Sequence, residues 1–153
     1  MMTHRTRLAE VCAKLNTHNA RYVLVGASAM QLWGTSRTTL DIDILIDPTV
    51  ENARLVLDAL AEVGFGIARE LTPEEVVNSS VTMVGDIPNV DIMTRTWNLL
   101  WCDATERASE IALEGVAIPT ASINDLIASK RTGRLQDAAD IEVLEEIRRL
   151  RGE

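Results

Sequence analysis

The amino-acid sequence predicts an α/β (α+β) fold in which a small mixed β-sheet is flanked by helices. Short apolar runs bounded by glycine or aspartate are typical of buried strands, and "RYVLVG" at 21–26 and "DIDILI" at 41–46 are two such runs. Segments with apolar residues every three or four positions lie between them, as on one face of a helix. The 153 residues suffice for one buried core, so we expect a single domain over residues 1–153.

Apolar spacing and stop residues define the predicted elements of the first half. Leu8, Val11 and Leu15 recur at helical spacing. Gly34 and Gly64 follow helical segments at the place where glycine commonly ends a helix. The predicted elements are a helix over 3–18, a strand over 21–26, a helix over 27–33, a strand over 41–46 and a helix between 49 and 64.

Caps and turns define the second half. Thr72 with Glu75 forms a capping-box pattern, and Ser122 is followed three residues later by an acid. The final segment carries acids early and arginines late, which the helix dipole favours. The predicted elements are a short helix after Thr72, strands over 80–86 and 89–95 joined by a turn around Asp86–Pro88, a strand pair or one bent strand over 110–120, a helix over 122–133 that Gly133 ends, and a helix from Leu135 onward.

Composition and charge exclude several classes of function. A net charge of −8 gives no general attraction to nucleic-acid phosphates, and 3% aromatic residues are too few for a base-stacking platform. Cys12 and Cys102 match no metal-ligand spacing and are expected to be reduced thiols in a cytoplasmic protein. We expect neither a secretory signal nor a membrane span, because no apolar stretch is long enough.

Asp41 and Asp43 are the first candidates for a functional site. Side chains two residues apart on a strand point to the same face, so both carboxylates share one face while Ile42 and Ile44 point to the other. Two adjacent carboxylates repel each other unless a positive charge lies between them. Oxygen ligands of this kind suit Mg²⁺, and no histidine or cysteine nearby indicates zinc.

Gly26, Ala27 and Ser28 form a second candidate, between a predicted strand and the start of a helix. Backbone N–H groups at such a helix start, together with the Ser28 hydroxyl, can bind phosphate oxygens. The alternative is structural: Gly26 permits a tight turn and Ser28 caps the helix. The residues alone leave both interpretations open.

Asp91, Arg37 and Thr38 extend this pattern. Asp91 lies in a predicted strand between apolar neighbours, and an aspartate in such a place is rarely buried without a partner. Arg37 and Thr38 precede the aspartate pair, where an arginine can contact a polyphosphate. The alternatives are a satisfied structural aspartate and a solvated loop. A phosphate-binding turn, a paired aspartate strand and a third aspartate are what two-metal phosphoryl transfer needs.

The pattern Val25-Gly26-Ala27-Ser28, then Asp41-Ile42-Asp43, then Asp91 resembles the nucleotidyltransferase (DNA polymerase β-like) superfamily. "YVLVGASAMQLWGTSRTTLDIDILI" and "DLIASKRTGRLQDAADIEVL" look like small prokaryotic members related to abortive-infection toxins and antibiotic nucleotidyltransferases. The resemblance implies two Mg²⁺ ions held by the three aspartates, which are also the catalytic residues, and a nucleoside triphosphate as donor.

The same resemblance implies roles for the late helices. Lys130 would approach the nucleotide phosphates, and Arg134, Asp137 and Asp140 would organise the rim of the site. The residues alone favour a structural interpretation, in which Lys130 ends a solvated helix turn and the two aspartates pair with Arg134.

Three functions remain open from the sequence. The first is transfer of a nucleoside monophosphate to an acceptor hydroxyl with release of pyrophosphate; the acceptor is a small molecule, a protein or tRNA, and the acidic charge favours a cationic small molecule or a protein. The second is a catalytically weak or inactive nucleotide-binding or interaction module of the same fold, which is motivated by Ala27, where many relatives have a second glycine, and which is compatible with one half of a toxin–antitoxin-like pair. The third is a metal-dependent phosphohydrolase. A homodimer or a partner protein is compatible with all three.

Overall fold

In the part of the chain that the structure describes, six strands form one mixed sheet, and helices pack around it. The computed structural model describes residues 3–36, 39–85, 88–96, 98–131 and 134–153. Its elements are α1 (His4–Thr17), β1 (Tyr22–Val25), α2 (Gly26–Trp33), β2 (Ile42–Ile46), α3 (Val50–Glu62), a 3₁₀-helix (Gly66–Glu70), α4 (Pro73–Val77), β3 (Val81–Val84), β4 (Val90–Met93), α5 (Trp101–Arg107), β5 (Ser109–Leu113), β6 (Val116–Thr120), α6 (Ile123–Ser129) and α7 (Leu135–Leu150).

The strand order across the sheet is β3-β4-β2-β1-β6-β5. Strand β1 pairs antiparallel with β2 and parallel with β6, and β2 pairs parallel with β4. The two outer strands, β3 and β5, pair antiparallel with β4 and β6. The predicted mixed sheet flanked by helices is therefore confirmed.

The elements agree with the predicted segments, with a few differences. Residues 110–120 form a pair of strands rather than one bent strand, and β2 begins at Ile42, one residue after Asp41. Helix α5 and the 3₁₀-helix were not predicted. Helix α5 has seven residues and buries only Ala104, so it lacks the apolar spacing that identifies a longer helix. Two predicted markers, the first part of the Asp86–Pro88 turn and Gly133, lie outside the described residues.

Strands β1 and β2 form the centre of the core. All four residues of β1 are buried, and in β2 only Asp43 retains partial exposure. Helix α2 packs on both strands, and α1 packs against α3 and β6. No helix in the described part of the chain is both long and apolar enough to cross a membrane.

Asn52 joins β1 and β2 at the end of the sheet where β1 begins. Its side chain is fully buried. Its Oδ1 accepts a hydrogen bond from the Arg21 backbone N–H at 2.7 Å, and its amide nitrogen donates to the carbonyl oxygens of Arg21 and Asp47 at 2.9 Å each. One side chain thus satisfies three backbone groups, which fixes where both strands start and end.

Asn52→Ala is expected to lower the free energy of unfolding by about 2–4 kcal/mol, because it leaves three buried backbone groups without their partner. Urea unfolding measures this. The matched control is Asn124→Ala on the surface of α6, which is expected to change stability by less than about 1 kcal/mol. Equal effects of the two variants would contradict this role for Asn52.

Candidate active site

Asp43 and Asp91 are direct neighbours on adjacent parallel strands. They are register partners in the β2–β4 pair, so their side chains share one face of the sheet. Burial raises the pKa of Asp43 to about 7, assisted by a hydrogen bond to Asp91 and by the negative charges of Asp91 and Asp41, while the charge of Lys130 acts in the opposite direction. The structure therefore brings two of the three predicted aspartates into contact.

Gly26 lies against the Asp43 carboxylate. Val25, the last residue of β1, is the register partner of Asp43 in β2. The next residue, Gly26, has a φ of +70°, a conformation that favours glycine. A Cβ atom at this position would lie 2.2 Å from Oδ2 of Asp43, which no packed structure permits. Glycine is therefore required here both for its backbone conformation and for the close approach of the turn to the carboxylate.

Ser28 connects the glycine turn to the segment before β2. It is 1% exposed, and its hydroxyl donates to the backbone carbonyl of Asp41 at 2.6 Å. Ser28 is not the helix cap considered above, because the N-cap of α2 is Val25, which makes no side-chain cap. The side chain of Asp41 itself is exposed at the edge of the site.

His4 is a neighbour of the site that the sequence did not indicate. Its Nε2 lies 3.3 Å from the Ser28 hydroxyl oxygen. Because Ser28 uses its single proton toward Asp41, His4 Nε2 is assigned as the donor in this pair. Burial lowers the pKa of His4, and the charge of Asp41 opposes this shift. A neutral imidazole at this place holds Ser28 in position.

Asn89 was also not indicated by the sequence. Its amide nitrogen donates to Oδ1 of Asp91 at 2.6 Å, and its backbone carbonyl accepts from the N–H of Ile42 at 2.8 Å. Its position two residues before Asp91 places it on the same strand face, and this spacing is the signal that could have identified it. Asn89 therefore ties the third aspartate to the segment that carries the first two.

Lys130 lines the same pocket as Asp43, a cavity of about 180 Å³ that Gly26 and Arg134 also help to line. Its Nζ is 3.5 Å from Oδ1 of Asp137 and 3.4 Å from Oδ2 of Asp140. Both carboxylates are buried on α7, and Arg134 also bonds Asp137. These ion pairs hold the Lys130 ammonium at the rim of the pocket.

The carboxylate pair suits a divalent cation. Oδ1 of Asp43 is buried without a hydrogen-bond partner in the described structure, and hard carboxylate oxygens are the ligands that Mg²⁺ prefers. Among the residues that the structure describes, no group of three or more His, Cys, Asp or Glu side chains is placed to hold a metal ion. The structure thus brings Asp43 and Asp91 together but does not join Asp41 to them as a third ligand.

Two further predicted residues are not placed. Arg37 and Thr38 lie outside the described residues. Ala27 is half-buried in the first turn of α2, directly after Gly26. The predicted phosphate-binding roles of the Gly26–Ser28 turn and of Lys130 stay predictions.

Gly26→Ala is expected to destabilise the fold by about 2–4 kcal/mol, because it adds both an unfavourable φ and a clash with Asp43. The matched control is Gly115→Ala, which has a φ of +80° but no atom within 4 Å of the added Cβ. It is expected to cost only about 1 kcal/mol.

In a double-mutant cycle, Asp43→Ala is expected to recover at least about 1 kcal/mol of the stability that Gly26→Ala loses. Strictly additive effects of the two substitutions would contradict the close approach of Gly26 to Asp43.

Stability is expected to depend on pH through Asp43. Its pKa is raised from 3.8 to about 7, so between these values the folded chain keeps a proton that the unfolded chain has lost. Stability therefore falls as the pH rises through this range. Asp43→Asn resembles the protonated form and is expected to be more stable than wild type by about 1–3 kcal/mol near pH 8, with little difference near pH 4.

Urea unfolding in buffer with a chelator measures this difference across the pH range. The control is Asp58→Asn, an exposed aspartate on α3 that is not among the charges acting on Asp43, and this variant is expected to follow the wild-type curve. Parallel curves for wild type and Asp43→Asn would contradict the burial of a shared carboxylate pair.

Comparison with known proteins adds an independent finding. A search of curated proteins gives no match. Residues 6–150 match the family model described as a nucleotidyltransferase of unknown function (DUF6036). The match spans β1, the glycine turn, β2 and β4 as well as the late helices, so it includes every residue of the candidate site from Gly26 to Lys130. The chain is a member of this nucleotidyltransferase family.

Proposed function

We propose that this protein transfers a nucleoside monophosphate from a nucleoside triphosphate to an acceptor hydroxyl, with Mg²⁺ as cofactor, and releases pyrophosphate. The observation that carries the proposal is the contact between Asp43 and Asp91 directly beside the Gly26 turn. Membership of a nucleotidyltransferase family supports the same reaction class. Two acidic groups forced together next to a glycine turn at a helix start match the needs of a triphosphate with its cation.

Asp43 and Asp91 would hold the cation, with Asp41 as an additional ligand from the exposed edge. When bound, Mg²⁺ supplies positive charge that stabilises the oxygens of the transferred phosphoryl group. The backbone of the Gly26–Ser28 turn would contact the triphosphate, and the Lys130 ammonium would neutralise part of its charge across the pocket. Arg37 and Thr38 remain part of this proposal as phosphate contacts.

The transfer step requires a proton acceptor. The oxygen of the acceptor hydroxyl attacks the α-phosphorus, the bond from that phosphorus to the bridging oxygen breaks, and pyrophosphate leaves with the electron pair. The hydroxyl proton passes to a carboxylate of the Asp43–Asp91 pair, with Asp91 as the expected base.

A nucleotide-binding module without turnover is the second candidate. The Ser28 hydroxyl donates to the Asp41 carbonyl, so its proton is used inside the protein, and Ala27 adds a methyl group next to Gly26. Both features favour weaker contacts between this turn and a phosphate. Nucleotide binding without transfer would favour this candidate.

Incubation with each of the four nucleoside triphosphates labelled at the α-phosphate, together with Mg²⁺ and cell extract, tests the proposal. We expect label on an acceptor and release of pyrophosphate, both reduced at least about 1,000-fold in Asp43→Asn and Asp91→Asn. The control is Asp58→Asn, an exposed aspartate on α3, which is expected to retain activity.

Two results would contradict the proposed transfer. Label that stays on the nucleotide while calorimetry detects binding indicates the binding module. Release of free phosphate from a γ-labelled nucleotide, without pyrophosphate, indicates a phosphohydrolase.

A further inference from the structure

We propose that Asn89 supplies a neutral oxygen ligand, its side-chain Oδ1, to the divalent cation held by Asp43 and Asp91. This inference rests on the proposed function, because it adds a ligand to the same site. Its basis is the placement of a buried amide oxygen that has no hydrogen-bond partner among the described residues.

The orientation of the Asn89 amide is set by Asp91. A carboxylate oxygen of Asp91 lies 2.6 Å from one terminal atom of the amide, and that atom must be the nitrogen because a carboxylate accepts a hydrogen bond from N–H. The carbonyl oxygen of the amide is therefore the other terminal atom. The side chain cannot rotate by half a turn to satisfy this oxygen without losing the bond to Asp91.

Two oxygens on the same face of the sheet are then left without donors. Asn89 is 9% exposed, and its Oδ1, like Oδ1 of Asp43, is buried and unpartnered in the part of the chain that the structure describes. Buried acceptors of this kind are rare because each costs free energy. A small cation can satisfy both oxygens and at the same time offset the charge of the carboxylate pair.

The register between β2 and β4 places Asn89 beside Asp41, one residue before the Ile42–Val90 pair. Ile42 pairs with Val90 and Asp43 with Asp91, so one residue earlier in the same register Asn89 lies next to Asp41. The hydrogen bond from Ile42 N–H to the Asn89 carbonyl, at 2.8 Å, fixes this alignment. Asn89 is therefore held between the first and the third aspartate of the site.

An amide at this position contributes in two ways. Amide carbonyls are common oxygen ligands of divalent cations, and Asn89 adds such a ligand without adding negative charge to a pair that already repels. Its nitrogen also donates to Asp91, which a carboxylate cannot do. Asn89 thus combines a ligand atom with a positioning contact.

Calorimetric titration with Mn²⁺ in the absence of nucleotide tests the inference. We expect wild type to contain one site that Asp43→Asn removes, and Asn89→Ala to weaken Mn²⁺ binding at that site by about 10- to 100-fold. The matched control is Asn52→Ala, which removes the other buried asparagine described above, far from the site. It is expected to reduce stability while leaving Mn²⁺ affinity unchanged.

The variant Asn89→Asp distinguishes two roles of Asn89: a ligand of the cation, or a residue that only positions Asp91. It remains informative if Asn89→Ala does not fold. This variant keeps an oxygen but loses the donor to Asp91. A ligand role predicts Mn²⁺ affinity at least equal to wild type and a larger rise in melting temperature on addition of Mn²⁺, because the added negative charge on a ligand oxygen attracts the cation and offsets the lost contact with Asp91. A purely positioning role predicts weaker binding than wild type.

The outcomes distinguish the two proposals. If wild type binds Mn²⁺ at a site that Asp43→Asn removes, and Asn89→Ala binds it equally well, the role of Asn89 is overturned while the proposed function stands. Weaker binding by Asn89→Asp also overturns the ligand role. If wild type has no Mn²⁺ site that depends on Asp43, the proposed function is overturned and the inference with it.

Discussion

The parallel pairing of β2 with β4 places the Asp43 carboxyl beside that of Asp91, and the rest of the site depends on this contact. Burial and the nearby negative charges raise the pKa of Asp43 to about 7, so near neutral pH the pair opposes folding rather than supporting it. A protein keeps such a pair only where the surrounding structure enforces it. Ile42 and Ile44, which are fully buried on the opposite face of β2, hold this strand in the core and so keep Asp43 beside Asp91.

Hydrogen bonds around the pair keep its geometry fixed. Ser28 and Asn89 hold the segment that enters β2 from opposite sides, through the Asp41 carbonyl and the Ile42 N–H. The glycine turn then approaches Asp43 to within a distance that excludes any larger side chain. Across the pocket, ion pairs with α7 hold the Lys130 ammonium. Hydrogen bonds therefore fix the sheet side of the site, and the helix side carries the Lys130 and Arg134 cations together with the buried carboxylates of Asp137 and Asp140 that pair with them.

Much of the fold could be predicted from the sequence because its signals are local. The helical spacing of α1 and α3, the apolar runs of β1 and β2 and the capping pattern of α4 each lie within a short stretch. The contact between Asp43 and Asp91 was expected from the chemistry of two-metal sites and from the family resemblance rather than from a local pattern, because the register between β2 and β4 is set by pairing across 48 residues of chain. His4 was missed because a histidine near the start of the chain carries no signal until the fold brings it to Ser28. Asn89 was missed although its spacing from Asp91 is a local signal, because that spacing has a meaning only once Asp91 is known to belong to the site.

A crystal structure of the protein with Mg²⁺ and a nucleoside triphosphate analogue that resists cleavage between the α- and β-phosphates tests the central claim most directly. The account predicts a cation in contact with carboxylate oxygens of both Asp43 and Asp91, and a triphosphate that extends from the Gly26 turn toward Lys130. A cation or triphosphate bound elsewhere on the chain, with the Asp43–Asp91 pair unchanged, would contradict it.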